Sequence, residues 1–237
     1  MRTLFAGLAV VAGLFLYVWL RPISLEISPP VMADTISDTI DDLNRHSTKK
    51  FPERQKYSAD VKVLLNTGDA HGSAVHIGNG YFLTAAHVAN ANLGRFDIQL
   101  SDGSIRKAEV LWSNKDYDIA LIRADGRDIE AANLSCRVAD VGEQIMVKGN
   151  PVILDNISAW GRIAGEERKL GSWKSVLVVD AQIIPGQSGG AVYDYKHDLI
   201  GIEVGLVMLP LPTFSTTATG YGLVVSGKSV CELLARV

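Results

Sequence analysis

The sequence is poor in cysteine and in concentrated charge. Its 2 Cys among 237 residues are too few for a disulfide-stapled scaffold or a zinc site with four cysteine ligands. The 23 Lys and Arg are outnumbered by 26 Asp and Glu, and no basic block is longer than Lys49–Lys50. We therefore expect no nucleic-acid partner, because a phosphate backbone would find little to bind electrostatically. The 47% hydrophobic content excludes low-complexity disorder.

One long apolar run lies at the N-terminus. Residues 4–20 carry no charge and have an arginine near each end. At 1.5 Å per residue they cover about 25 Å, which suits a bilayer core. A cleaved signal peptide is the alternative, although the nearest small-x-small pattern comes only at residues 31–33. We predict a transmembrane signal anchor over residues 1–21, with a cytoplasmic N-terminus and the remainder extracytoplasmic, periplasmic if the organism is bacterial.

The pattern of the chain changes twice after this run. Residues 22–57 contain four prolines and a polar stretch, which predicts a juxtamembrane linker. From residue 58 onward, short β-branched runs alternate with Gly, Asn and Asp, as expected of an all-β sandwich or pair of barrels. One helix is predicted at the C-terminus, where apolar residues recur at helical spacing and Ser229 with Glu232 fits a capping box.

Three segments suggest chemistry when taken together. They are residues 83–88 (LTAAHV), 116–121 (DYDIAL) and 185–190 (PGQSGG), and each alone fits an ordinary strand end or glycine turn. Serine becomes a nucleophile when an imidazole accepts its proton, and a carboxylate must orient that imidazole. His87, Asp118 and Ser188 supply these roles, with Asp116 as the alternative carboxylate.

The glycines of the third segment suit an oxyanion hole. Without side chains, they allow backbone N–H groups to converge on one oxygen. We assign the hole to the N–H groups of Gly186 and Ser188. The segment also matches the G-x-S-x-G elbow of α/β-hydrolases. The esterase hypothesis requires a histidine well after the serine in the sequence. Only His197 follows Ser188, nine residues later, which argues against this hypothesis.

The three segments resemble those of chymotrypsin-fold serine endopeptidases, most closely the bacterial HtrA/DegP-type branch. The resemblance covers residues 58–237 and implies two six-stranded antiparallel β-barrels, over about 58–130 and 138–225. A terminal helix over 226–237 follows, and the active site lies between the barrels. It also implies a specificity pocket shaped by Gln182, Glu203 and Tyr221.

The resemblance has consequences for substrates and partners. Gln182 carries no charge, so we expect small or medium apolar side chains in the pocket rather than Arg or Lys. Protein or peptide substrates are implied, with no cofactor, no metal and a possible homo-oligomer. Gln187 precedes the serine where digestive relatives have Asp, which argues against a trypsin-style zymogen. A catalytically latent binding or scaffolding module on the same fold is the alternative function.

The two cysteines leave two interpretations open. Cys136 and Cys231 are 95 residues apart, and an oxidising compartment would allow them to pair across the domain. Two buried free thiols are the other interpretation.

Overall fold

The fold is described by a computed structural model, which covers residues 59–65, 71–91, 95–151, 154–211 and 216–236. The predicted anchor over residues 1–21 and the predicted linker over 22–57 lie outside these residues. Within the described ranges, no helix is long and apolar enough to cross a membrane.

Twelve strands form two closed barrels of six strands each. The first barrel consists of β1 (Asp60–Leu64), β2 (His71–Gly78), β3 (Tyr81–Ala85), β4 (Arg95–Gln99), β5 (Ile105–Asn114) and β6 (Ile119–Arg123). The second consists of β7 (Gln144–Gly149), β8 (Ile157–Leu170), β9 (Trp173–Asp180), β10 (Ala191–Tyr193), β11 (Leu199–Pro210) and β12 (Thr216–Ser226). All the pairings between these strands are antiparallel. The sequence predicted an all-β domain, and the described residues form a mostly β fold with two helices.

Each barrel encloses an aliphatic core, because inward positions alternate with outward ones along the strands. In the first barrel Val63, Val75 and Ile98 have no exposed surface. In the second, a continuous cluster includes Ile145, Leu177 and Val224. β-branched residues favour such strands because they pack well on a pleated surface.

Two helices accompany the barrels in the described residues. Helix α1 (Ala86–Asn90) follows β3, and its five residues are too few to show the apolar periodicity that would predict it. Helix α2 (Gly227–Leu234) is the predicted terminal helix. Its N-cap is Ser226, whose hydroxyl accepts a hydrogen bond from the Ser229 N–H at 3.2 Å. The capping box expected from Ser229 and Glu232 therefore starts three residues too late.

A disulfide attaches α2 to the segment that leads into the second barrel. It joins Cys136 to Cys231, whose Cα atoms are 5.6 Å apart. The Lys228 N–H also donates to the Arg137 carbonyl at 2.9 Å. The structure thus has the paired form of the two cysteines, and the free-thiol alternative is not observed.

A buried polar cluster connects the two barrels. Lys148 on β7 forms an ion pair with Asp60 on β1 at 3.2 Å, and the Tyr193 hydroxyl donates to Asp60 at 3.1 Å. Burial raises the pKa of Asp60 to about 6, even though Lys148 and the Tyr193 hydroxyl oppose the shift. These contacts hold the barrels in one relative position.

Candidate active site

The pairing of β3 with β6 brings His87 and Asp118 together. Ala85, the last residue of β3, lies opposite Ile119, the first residue of β6. His87 comes two residues after Ala85, and Asp118 comes one residue before Ile119. Two segments separated by about thirty residues in sequence therefore meet at one end of the first barrel.

Asp118 makes two hydrogen bonds to His87 through its side chain. Its Oδ2 lies 2.7 Å from His87 Nδ1, and its Oδ1 accepts the His87 backbone N–H at 2.8 Å. Its carbonyl accepts the Ala86 N–H at 3.0 Å, so the residue also satisfies the free donors at the start of α1. The carboxylate therefore holds both the backbone and the ring of the histidine.

The two members of this pair differ in their access to solvent. The Asp118 side chain is 12% exposed, whereas that of His87 is 51% exposed. Asp118 also has a positive φ of 58°, a conformation that Asp and Asn tolerate better than other residues with side chains. Asp116, the alternative carboxylate, is exposed, and its carbonyl accepts the Lys174 N–H. The structure therefore pairs His87 with Asp118.

Ser188 lies in a loop with two successive turns before β10. Pro185 and Gly186 form the centre of the first turn, which is closed by the Gln187 N–H donating to the Ile184 carbonyl at 3.2 Å. The φ of Gly186 is 98°, as a type II turn requires at this position. The buried Gln187 side chain also stabilises this turn, because its Oε1 accepts a hydrogen bond from the Ile184 N–H at 2.8 Å.

Two backbone N–H groups of this loop have no acceptor among the described residues. In the described part of the chain, neither the Gly186 N–H nor the Ser188 N–H donates to a protein acceptor. The neighbouring N–H of Gly189 donates to the Glu203 carbonyl at 2.7 Å, and that of Gly190 donates to the Gln187 carbonyl at 2.7 Å. The loop is thus fixed by its other groups, while these two donors are available to a ligand.

Ser73 on β2 holds this loop against the first barrel. Its hydroxyl donates to the Gly186 carbonyl at 2.9 Å and accepts the Asn150 N–H at 2.9 Å. Its own N–H donates to the Ser188 carbonyl at 2.9 Å. Sequence reasoning missed this role because Ser73 lies in an ordinary strand, more than one hundred residues from the loop.

A cleft of about 670 Å³ brings the predicted residues together. Its walls include His87, Asp118 and Ser188. Helix α1 supplies one side of the cleft, and the Ser188 loop and β11 supply the other. Its apolar lining includes Trp173, Ile183, Ile184, Leu206 and Met208.

The comparisons with known proteins identify the family of the domain. The model of the trypsin-like peptidase domain matches residues 72–202, more than half of the chain. The chain belongs to this family. The expectation from the sequence motifs is therefore confirmed at the level of the family.

Named relatives of this peptidase domain come from the DegP and HtrA group. A probable periplasmic serine endoprotease, DegP-like, from Buchnera aphidicola is 28% identical over 197 residues, covering 75% of this chain and 42% of that protein. A probable periplasmic serine protease, do/HhoA-like, from Haemophilus influenzae is 26% identical over 200 residues, covering 78% and 41%. The chain thus spans less than half the length of these two relatives.

Solved structures show the same fold. The HtrA-type protease AlgW with tripeptide has a TM-score of 0.66 and 25% identity, covering 76% of this chain and 60% of that one. A serine endoprotease from Yersinia pestis has a TM-score of 0.66 and 24% identity, covering 80% and 66%. The second likeness concerns the fold alone.

The three residues predicted for the specificity pocket of this peptidase domain differ in their position relative to the cleft. Among the described residues that line the cleft, Glu203 is present, but Gln182 and Tyr221 are not. Gln182 is exposed, and Tyr221 is 46% exposed. The adjacent Ile183 is turned inward instead and packs in the core of the second barrel. The roles of Gln182, Glu203 and Tyr221 in substrate binding stay predictions.

Proposed function

We propose that the protein is a serine endopeptidase that cleaves peptide bonds of protein substrates through an acyl-enzyme intermediate. The observation that carries the proposal is the single cleft that contains Ser188, the hydrogen-bonded His87–Asp118 pair and the two free N–H groups. The family of the chain and the names of its relatives support the same reaction class.

Each residue has a defined role in this reaction. Ser188 Oγ attacks the carbonyl carbon of the peptide bond, and His87 Nε2 accepts the hydroxyl proton. His87 then donates that proton to the departing amine, and water releases the acyl group by the same steps in reverse. Asp118 keeps the proton of the ring on Nδ1 and stabilises the imidazolium that forms.

The free N–H groups of Gly186 and Ser188 would stabilise the transition state. The attacked carbonyl oxygen gains negative charge as the tetrahedral intermediate forms. Because the two N–H groups are already oriented toward this oxygen, they can hydrogen-bond to it without any rearrangement of the protein. Removing one such donor typically lowers kcat by about 10²- to 10³-fold. Ser73 and the Gln187 side chain act as positioning residues, because they hold the loop that bears these donors.

The setting of the reaction is part of the proposal. We place the peptidase domain outside the cytoplasm and attach it to the membrane through residues 1–21. The disulfide between Cys136 and Cys231 suits an oxidising compartment. Two relatives are named as periplasmic proteins.

Labelling with a fluorophosphonate tests the proposal directly, because this reagent reacts with activated serines. The full-length chain in mild detergent should be labelled at Ser188, as located by peptide mass spectrometry. Ser188→Ala and His87→Ala should abolish labelling. Ser172→Ala is the matched control, since Ser172 also lines the cleft and should be dispensable.

The outcomes separate the two candidate functions. Labelling of Ser188 together with cleavage of an unstructured protein such as casein would support the endopeptidase. No labelling of a demonstrably folded wild-type protein would reject it in favour of a binding module on a protease fold.

A further inference from the structure

Glu203 is a buried acidic residue beside the Ser188 loop. Its exposed fraction is 1%, and it lies on β11 in the wall of the cleft. Its carbonyl accepts the Gly189 N–H at 2.7 Å, and its N–H donates to the Gly190 carbonyl at 2.9 Å. Its backbone is therefore held directly against the two residues that follow Ser188.

The Glu203 side chain points toward the core side of the second barrel. Its cross-strand partner is Val224, a member of that core, and directly opposed residues of two strands share a face of the sheet. Ile183 belongs to the same core and also lines the cleft. Glu203 and Ile183 therefore lie where the core of the second barrel borders the cleft.

The carboxyl group of Glu203 is buried and has no hydrogen-bond partner in the part of the chain that the structure describes. Neither oxygen accepts a bond from the residues that the structure describes, although the N–H of Gly205 is near enough to lower its pKa. Burial, together with the negative charge of Asp118, raises the pKa well above its usual range. The other titratable groups in the cleft wall are His87 and Lys115, and neither bonds to it.

A buried carboxyl group without a partner is costly to the folded protein. The cost is offset when a ligand brings the missing donor. The surroundings favour a long side chain with a charged end, because Ile183 and Leu206 offer apolar surface beside the acid. A cation at that end would favour loss of the carboxyl proton to solvent, and its attraction to the resulting carboxylate is strong in a site of low dielectric.

We propose that Glu203 is a specificity-determining residue that receives the cationic side chain of lysine or arginine. This lysine or arginine is the substrate residue whose carbonyl group Ser188 attacks. We place it there because the backbone of Glu203 is hydrogen-bonded to the loop immediately after Ser188. The inference rests on the proposed endopeptidase function. It replaces the expectation of an apolar preference, which depended on Gln182.

The first test compares two peptide substrates that differ at one position. One has lysine before the scissile bond, and the other has norleucine, which has a similar chain without the ammonium group. The full-length wild type should cleave the lysine peptide with a kcat/KM about 10- to 100-fold higher, as expected for a hydrogen bond to a charged group. Glu203→Gln should remove this preference, whereas Glu203→Asp, which keeps the charge, should retain part of it.

The second test needs no catalysis, so it distinguishes failure of the inference from failure of the proposed function. The cationic fluorophore 4-aminobenzamidine should bind Ser188→Ala, and its Kd should rise at least tenfold in the Ser188→Ala/Glu203→Gln double variant. Circular dichroism and thermal unfolding check that both proteins are folded. Equal Kd values, or a wild type that prefers norleucine, would overturn the inference. Absent fluorophosphonate labelling with intact fluorophore binding would instead reject only the endopeptidase.

Discussion

Two glycines with nearly the same backbone conformation allow the steric demand of the Ser188 loop to be measured. Gly189 has a φ of 87°, and Gly103 has a φ of 84°. A Cβ atom at Gly103 would meet no atom of the described residues within 4 Å. A Cβ atom at Gly189 would collide with the Ser73 carbonyl oxygen and Thr84 Oγ1, and would lie 2.9 Å from the Ala85 nitrogen. Alanine at either site suffers the same backbone strain, but only one site adds a collision.

The expected magnitudes follow from these two contributions. The left-handed conformation costs an L-residue about 1–2 kcal/mol, and the loss of glycine entropy in the unfolded chain offsets about 0.4–1 kcal/mol. Gly103→Ala should therefore destabilise the protein by about 1 kcal/mol. Gly189→Ala adds an overpacking cost of about 1–3 kcal/mol against backbone that cannot yield easily, for a total of about 2–4 kcal/mol.

Urea unfolding followed by tryptophan fluorescence gives both values in the full-length chain. The rate of fluorophosphonate labelling gives a second readout, because movement of the Ser188 loop should slow labelling in Gly189→Ala but not in Gly103→Ala. Equal destabilisation of the two variants, with equal labelling rates, would refute the inference that the first barrel confines this loop.

Three further predictions concern the catalytic pair, the disulfide and the contact between the barrels. Asp118→Asn keeps the side-chain shape and the tolerance of a positive φ but removes the carboxylate. The kcat should fall about 10⁴-fold with little change in the melting temperature. An activity within tenfold of wild type would contradict the role assigned to Asp118. The double variant Cys136→Ser/Cys231→Ser opens a link between residues 95 positions apart, and should lose about 2–4 kcal/mol of unfolding free energy in urea. Wild type treated with dithiothreitol is the control and should match it, whereas an unchanged midpoint in both would show that the disulfide does not stabilise the fold. Because the pKa of Asp60 is raised from 3.8 to about 6 in the folded state, its contribution is fully present below pH 4 and is lost as the pH rises through 6. The unfolding free energy of wild type minus that of Asp60→Asn should therefore fall by about 3 kcal/mol between pH 4 and pH 6 in urea titrations. A difference that does not change with pH would contradict a raised pKa for Asp60.

The fold class and the catalytic motifs were predictable because they depend on local pattern. Short β-branched runs between turn residues indicate strands wherever the chain later places them. His87, Asp118 and Ser188 were identifiable because each lies in a short segment with a distinctive set of neighbours. Their roles in catalysis stay predictions, although the structure brings all three residues to one cleft.

Local sequence pattern did not predict elements too short to show a periodicity. It also could not choose between two neighbouring residues that compete for the same role. Helix α1 is too short to display helical spacing, and the N-cap of α2 lies three residues before the predicted capping box. Gln182 and Ile183 are neighbours, and only the packing of the second barrel decides which of them faces inward. Whether Cys136 and Cys231 pair was likewise undecided until the position of α2 was known.

The sequence alone was sufficient for the identity of the reactive groups, since their chemistry resides in single side chains and short loops. The tertiary structure was needed for every property that depends on distant neighbours. Ser73 supports the Ser188 loop because two barrels meet there. Asp60 has a raised pKa because it is fully buried, although Lys148 and the Tyr193 hydroxyl oppose the shift. The resemblance already placed Glu203 in the specificity pocket, but only the fold buries its carboxyl group beside the Ser188 loop, without a hydrogen-bond partner among the described residues. Burial and contacts between residues distant in sequence determine these properties, and neither can be deduced from the neighbouring residues in the sequence.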